Sequence, residues 1–377
     1  MGKQIKKKKS SHRILVITNM YPSQVHPSFG IFIKNQVDAL RLRGFDIDVI
    51  AVQDPRMGKF RVIRKYFFWA LKVAASLLNG KRYDLVHAHY IVPSGLLGLL
   101  VKKIQGSRLI ITSHGGDLDK MAKIHPLMER LTGRILHQSD YIIAVGEELK
   151  QKLVEHYRIS TNKLEIINMG VNRKIFRPID DKKAKDTLQL NYHYTHLLFV
   201  GNLIKAKGIL ELVEAFKQLK KKHNMLQLHL IGAAKEPDFM HHIEALIQNE
   251  EDIFIYQPLK QKDIAIWMSA ADLFILPSHM EGFGLVALEA MSCHTPVIGS
   301  DVGGLSYLLS NRTGLLIQPK NTLSLEKAME DLLKNENLRE ELITKGEQKA
   351  EQNSQDRLLD QLVYIYHFLI GENKNEG

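Results

Sequence analysis

Short, almost wholly apolar runs alternate with longer amphipathic stretches along nearly the whole chain. Ile14–Thr18, Ile47–Val52, Leu85–Ala88, Leu109–Thr112, Tyr141–Val145 and Leu164–Ile167 read as strands buried on both faces. A second series follows at Thr195–Val200, Gln227–Ile231, Ile253–Tyr256, Leu273–Leu276, Pro296–Gly299 and Leu315–Gln318. Between them, Phe32–Arg43, Leu210–His223 and Phe239–Asn249 carry apolar residues at helical spacing, and Leu358, Leu359, Leu362, Tyr366 and Leu369 predict a final helix over Gln355–Ile370. Strands alternating with helices predict doubly wound α/β sheets, and here the pattern occurs twice. It breaks near 172–194, where Pro178 and the charged run Asp180–Lys185 interrupt it. The expected organisation is a Rossmann-like domain over 1–178, a second over 179–354, and a closing helix over 355–377 free to cross back to the first. Open sheets bind ligands beyond the carboxyl ends of their strands. Two such sheets facing a cleft offer one wall to a phosphorylated donor and the other to an acceptor.

Composition narrows the class. The 377 residues are 45% hydrophobic and 25% charged, ordinary for a globular protein. A lone cysteine, Cys293, excludes an internal disulfide and a cysteine-built zinc site. The longest apolar stretch, Tyr90–Val101, is short of the roughly 20 residues a spanning helix needs. Behind Lys3 and Lys6–Lys9, Ile14–Ile17 is too brief for a signal-peptide core, so a cytoplasmic location is expected. Charge is lopsided: residues 1–180 hold 31 Lys and Arg against 14 Asp and Glu, and the remainder 21 against 27. The first half therefore suits an anionic partner, either nucleic acid or a membrane surface.

The most informative stretch runs from Ser278 to Gly304. A strand ends at Leu276, a glycine-bearing loop follows, and a helix starts near Gly284 or Leu285. Exposed amides at a helix start, approached closely through Gly282 and Gly284, suit an anion such as a diphosphate. Glu281 and Glu289 accept hydrogen bonds, which suits vicinal hydroxyls of a sugar or a ribose. The stretch reads as a nucleotide-sugar platform.

Glu281-Gly-Phe-Gly-Leu285 with Leu288-Glu-Ala-Met291 resembles the acidic motif of the retaining GT-B glycosyltransferases of family 4, and the resemblance extends over nearly the whole chain. It implies two Rossmann-like domains and transfer of a sugar (hexosyl type) from a nucleoside diphosphate sugar, with UDP the expected carrier. The anomeric configuration is retained through front-face attack, with no metal and no cofactor. By resemblance Glu281 contacts donor-sugar hydroxyls, Glu289 the ribose, and the amides around Phe283, Gly284 and Leu285 the sugar and distal phosphate. Lys207, in Phe199-Val-Gly-Asn-Leu-Ile-Lys-Ala-Lys-Gly208, takes the position that neutralises the leaving diphosphate. Asn202 stands where relatives carry arginine, and a neutral amide is no substitute for a guanidinium fork; Lys205 is the nearest compensating cation. His114, in Thr112-Ser-His-Gly-Gly-Asp117, matches a donor-sugar contact. Gly30, in Phe29-Gly-Ile-Phe32, matches a glycine loop where backbone approaches phosphate or acceptor. Three departures are His294 for a usual glycine, Tyr307 for a frequent glutamate, and Asn168-Met-Gly-Val-Asn172 for Asn-Gly-Val-Asp. The implied acceptor is a bacterial surface glycan on a lipid carrier.

His87 and His89 end another predicted strand and are placed on alternate faces, which argues against joint metal ligation. The carboxylates of Asp46-Ile-Asp48 are separated on the same ground, and Asp117-Leu-Asp119 is a three-letter match; no metal site is expected. Within Lys59–Leu78 a helical wheel gathers Arg61, Arg64, Lys65 and Lys72 on one face with Phe68 and Trp69, and turns Ile63, Phe67, Ala70 and Ala74 inward. Such a face suits docking on an anionic membrane. An epimerase or phosphorylase of the same architecture is the alternative enzyme. A nucleic-acid-binding protein is more distant, because no recognition motif accompanies the basic half, and nucleic acid is not the expected partner.

Overall fold

Each apolar run becomes a strand of a parallel sheet, because a strand covered on both faces buries every side chain it carries. The computed structural model describes residues 12–371 except 28, 57 and 119–124. The chain divides into two units, residues up to 169 together with those from 356 onward, and residues 170–355. In the first unit β1 (Arg13–Thr18), β2 (Asp46–Ala51), β3 (Leu85–His89), β4 (Arg108–Ser113), β5 (Tyr141–Ala144) and β6 (Leu164–Ile166) assemble in the order β2-β1-β3-β4-β5-β6. In the second, β7 (Thr195–Val200), β8 (Leu226–Ile231), β9 (Ile253–Tyr256), β10 (Leu273–Leu276), β11 (Val297–Ser300) and β12 (Leu315–Ile317) run β12-β11-β10-β7-β8-β9. Every pairing is parallel. Strand order reverses beside β1 in one sheet and beside β7 in the other, and at such switch points open sheets receive ligands.

The first unit's helices are α1 (Ile31–Leu42), α2 (Lys59–Leu78), α3 (Leu96–Gln105), α4 (Pro126–Gln138) and α5 (Glu147–Glu155). Alternate residues of β1 enter opposite cores. Leu15 and Ile17 pack with Trp69, Val73, Leu99 and Ile135, whereas Ile14 and Val16 pack with Ile33, Val37, Leu359, Leu362 and Tyr366. The second layer therefore depends on the closing helix, Gln355–Ile370, whose apolar stripe lies on the first unit's sheet. The second unit holds α6 (Asp181–Leu188), α7 (Ile209–Lys220), α8 (Pro237–Ile247), α9 (Gln261–Ala270), α10 (Leu285–Ser292), α11 (Gly303–Leu309), α12 (Thr322–Lys334) and α13 (Glu336–Gln352) around one core. The charged run that interrupts the pattern is α6 itself. The Asp180 side chain caps it by accepting from the Lys183 amide at 3.0 Å, and buried Lys185 sits 3.1 Å from Asp181 and 3.4 Å from Asp272.

Several sequence expectations are corrected. On α2, Trp69 is 3% exposed and its indole N–H donates to the Ile50 carbonyl at 3.1 Å, so it is a core residue. Ile63 and Phe67, expected to pack inward, are 66% and 59% exposed. Aromatic residues lie on both the basic face and the face opposite it, so the wheel fits two orientations; contact with β2 selects the one that gives the indole N–H an acceptor. Lys65 is half-buried, donating from Nζ to the carbonyls of Asp54 (2.9 Å) and Arg56 (3.0 Å). His87 and His89 share one face of β3, as residues two apart on a strand must, and their rings stack 4.4 Å apart. Asp46 and Asp48 likewise share a side; what separates their roles is partners, Arg13 for one and Lys81 with Tyr83 for the other. Asp119 and the lysines at 3 and 6–9 lie outside the described residues.

Candidate active site

In the second unit the switch point lies between β7 and β10, so the loops leaving these strands are neighbours. Beyond β7 the chain passes Asn202 and enters a tight turn, Lys205–Lys207, ended by Gly208 with φ +69°. A Cβ on Gly208 would stand 2.0 Å from the Pro277 carbonyl oxygen, so only glycine lets this turn press against the end of β10. The His279 amide donates to the Ala206 carbonyl at 2.9 Å, and the His279 ring nitrogen Nε2 meets Glu211 Oε1 on α7 at 2.8 Å. Two loops are thereby stitched together at both ends.

The stitching brings Lys207 Nζ to 2.5 Å from Glu281 Oε2, with Ser278 Oγ at 3.4 Å from the same oxygen. Both charged side chains are mostly withdrawn from water, at 21% and 17% exposed. An ammonium held at the mouth of a sheet, with a carboxylate beside it, can meet an incoming diphosphate and a sugar hydroxyl within one residue's reach.

Gly284 precedes α10 with φ +84°, a left-handed turn that aims the chain into the helix. The amides of Phe283, Gly284 and Leu285 find no acceptor among the described residues. Gly282 is exposed, the Phe283 side chain is buried, and the Gly304 amide at the start of α11 donates to the Glu281 carbonyl at 3.2 Å. Unspent amides at the head of a helix form an anion site. Glu289 lies one and a half turns into α10, partly buried and without a hydrogen-bond partner among the described residues. Burial pushes its carboxyl up to about 8. Nearby Cys293 is buried, and desolvation pushes its thiol up to about 12. Asn202 precedes the turn and exposed Lys205 begins it, with the Lys205 amide donating to Glu236 Oε2 at 2.9 Å.

In the first unit, β3 and β4 bring three histidines together. His87 Nδ1 lies 2.6 Å from the Tyr366 hydroxyl and its Nε2 2.7 Å from Thr112 Oγ1; His89 Nδ1 lies 3.1 Å from His114 Nε2. Burial lowers His114 to about 3, and burial with the neighbouring His114 lowers His87 equally, so both rings are neutral. His114 packs between Phe32 and Tyr90, with centroids at 5.2 and 4.6 Å. A neutral ring so placed exchanges hydrogen bonds with hydroxyls and does not counter phosphate charge. Gly30 precedes α1 with φ +71°. No cluster placed to hold a metal ion occurs among the described residues.

The family profile "Glycosyltransferase Family 4" matches residues 10–174, and "Glycosyl transferases group 1" matches residues 180–349. Over 290 residues the chain is 31% identical to the D-inositol 3-phosphate glycosyltransferase of Paenarthrobacter aurescens, covering 72% of this chain and 69% of that one. The chain belongs to glycosyltransferase family 4. This family 4 transferase is also 27% identical to the teichuronic acid biosynthesis glycosyltransferase TuaC of Bacillus subtilis, over 84% of the chain and 88% of TuaC. Among solved structures, Anabaena Alr3699/HepE in complex with UDP superposes with a TM-score of 0.75 at 17% identity, covering 94% of this chain and 100% of that one. That likeness is one of fold, GT-B. Sequence motifs pointed to Lys207, Glu281 and Glu289; the bracket formed by His279 and Glu211 and the Tyr366–His87 contact carry no motif and emerge only from the fold.

Proposed function

We propose that this family 4 transferase moves a sugar from a nucleoside diphosphate sugar to a hydroxyl of a surface glycan carried on a lipid, retaining the anomeric configuration. The observation that carries the proposal is the 2.5 Å approach of Lys207 to Glu281, beside three unspent amides at the head of α10. We assign Lys207 to the departing diphosphate, the Phe283, Gly284 and Leu285 amides to the distal phosphate, Glu281 to sugar hydroxyls and Glu289 to the ribose. His114 is assigned to a sugar hydroxyl, and Gly30 to a close backbone approach. Gly282 keeps the Glu281 loop open to a ligand, and Asn202 lines it without charge.

In this scheme no side chain forms a covalent glycosyl intermediate. The acceptor hydroxyl attacks from the face the phosphate leaves, and its proton passes to the departing phosphate oxygen. Catalysis then comes from orientation and charge stabilisation. The polysaccharide setting draws support from the likeness to TuaC, and the UDP complex of the Anabaena protein makes UDP the first probe. The test is thermal protection by UDP followed by turnover of UDP-sugars, with anomeric stereochemistry read by NMR. Lys207→Ala should lower turnover about 100-fold or more, the scale for losing one charge-stabilising donor. Near-normal turnover in that variant, or inverted product, would overturn the assignment.

A further inference from the structure

The outward face of α2 carries several exposed aromatic side chains, and α3 packs against the same helix. Phe60 is 91% exposed, Phe67 59% and Phe68 56%, with Leu71 exposed between them. Phe60, Phe67 and Leu71 fall on one line of the helix, at i, i+7 and i+11. Arg61, Arg64 and Lys72 are exposed along one side of that line, and none has an ion-pair partner among the described residues. The helix beside it, α3, exposes Leu96, Leu100 and Ile104 at helical spacing, with Lys103 among them. Neither helix contains an acidic residue. No helix among the described residues is long and apolar enough to cross a membrane.

We infer that the joined outer faces of α2 and α3 dock in the interface of an anionic phospholipid bilayer. Charge selects this occupant. A second copy of the chain would set one basic row against another, whereas lipid phosphates meet Arg61, Arg64 and Lys72 while the phenylalanine rings enter below them. The inference deepens the lipid-carrier reading of the acceptor, yet it stands on surface residues that take no part in donor recognition.

Co-sedimentation of the full chain with vesicles tests it. Binding is expected to phosphatidylcholine vesicles containing phosphatidylglycerol, and not to phosphatidylcholine alone. Reversing the row as Arg61→Glu, Arg64→Glu and Lys72→Glu should weaken binding by at least about 100-fold, at about fivefold per cation removed. The pair Phe67→Ser and Leu71→Ser should weaken it at high salt, where charge attraction is screened. UDP protection, measured on the same variants, should not move; its loss in the wild type would sink the donor assignment and leave docking untouched. Unchanged vesicle binding in both sets of variants would overturn the inference, as would loss of binding on deleting only the lysine-rich first 11 residues. So would concentration-dependent self-association without lipid that either set abolishes.

Discussion

Glu289 holds a carboxyl where the folded chain disfavours its charge, and replacing it with glutamine should stabilise the second unit in a pH-dependent way. Burial raises this group from 4.5 to about 8. Between those values the unfolded chain releases the proton while the folded chain keeps it, so stability falls as pH climbs through the window and levels off above about 8. At 1.36 kcal/mol per pH unit, the full penalty is about 5 kcal/mol in alkali and about 3 kcal/mol near neutrality. Glu289→Gln keeps the shape and removes the titration. Its advantage over the wild type should be near zero in mild acid, open on the order of 3 kcal/mol at neutrality, and widen further in alkali. The two tryptophans, Trp69 and Trp267, fall one in each unit. A Trp69→Phe background therefore leaves Trp267 to report the second unit alone in urea titrations. Ribose hydroxyls donate to an ionised carboxylate, so UDP affinity should rise with pH towards 8 in the wild type and be weak and flat in the glutamine variant. A stability difference independent of pH would refute the burial argument, and equal UDP affinity in both proteins would refute the ribose assignment.

Two other substitutions probe the backbone that builds the site. Gly208→Ala forces a Cβ to 2.0 Å from the Pro277 carbonyl at φ +69°, so the Lys207 turn must lift from β10; a loss on the order of 3 kcal/mol in the same urea titration is expected, with weakened UDP protection. His294 sits at φ +64°, a left-handed conformation that favours glycine, and its ring lies 3.4 Å from Glu347 in a partly exposed contact. His294→Gly should therefore gain about 0.5 to 1 kcal/mol by calorimetry, the left-handed strain relieved less the added chain entropy; a loss of stability would mean the contact with Glu347 outweighs the strain.

Periodicity was a sufficient guide to the sheets, since a strand buried on both faces leaves an apolar run that turns cannot imitate. All twelve predicted strands are present. It was a poor guide to α6, because Asp180–Lys185 has the composition of a loop, and what makes it a helix is a side-chain cap and a lysine buried between two aspartates. Lys207 and Glu281 were legible singly, each at a strand end. Their contact was not, because 74 residues separate them and the glycine that permits it, Gly208, is distinguished only by the carbonyl it faces.

The same limit explains α2. A wheel ranks faces by residue type, and this helix offers aromatic residues on nearly every face, so the wheel has no basis for choosing among them. What decides is a hydrogen-bond requirement. An indole buried without an acceptor leaves a donor unsatisfied at about 1 to 3 kcal/mol, whereas Phe67 and Phe68 have no such need. Trp69 therefore takes the inward position, where the Ile50 carbonyl is 3.1 Å away. The phenylalanines are left outside, on the side of the helix that carries Arg61, Arg64 and Lys72. One polar atom on β2 thus turns the helix through about a third of a revolution from the face the wheel suggests, and in doing so exposes the surface on which membrane docking rests.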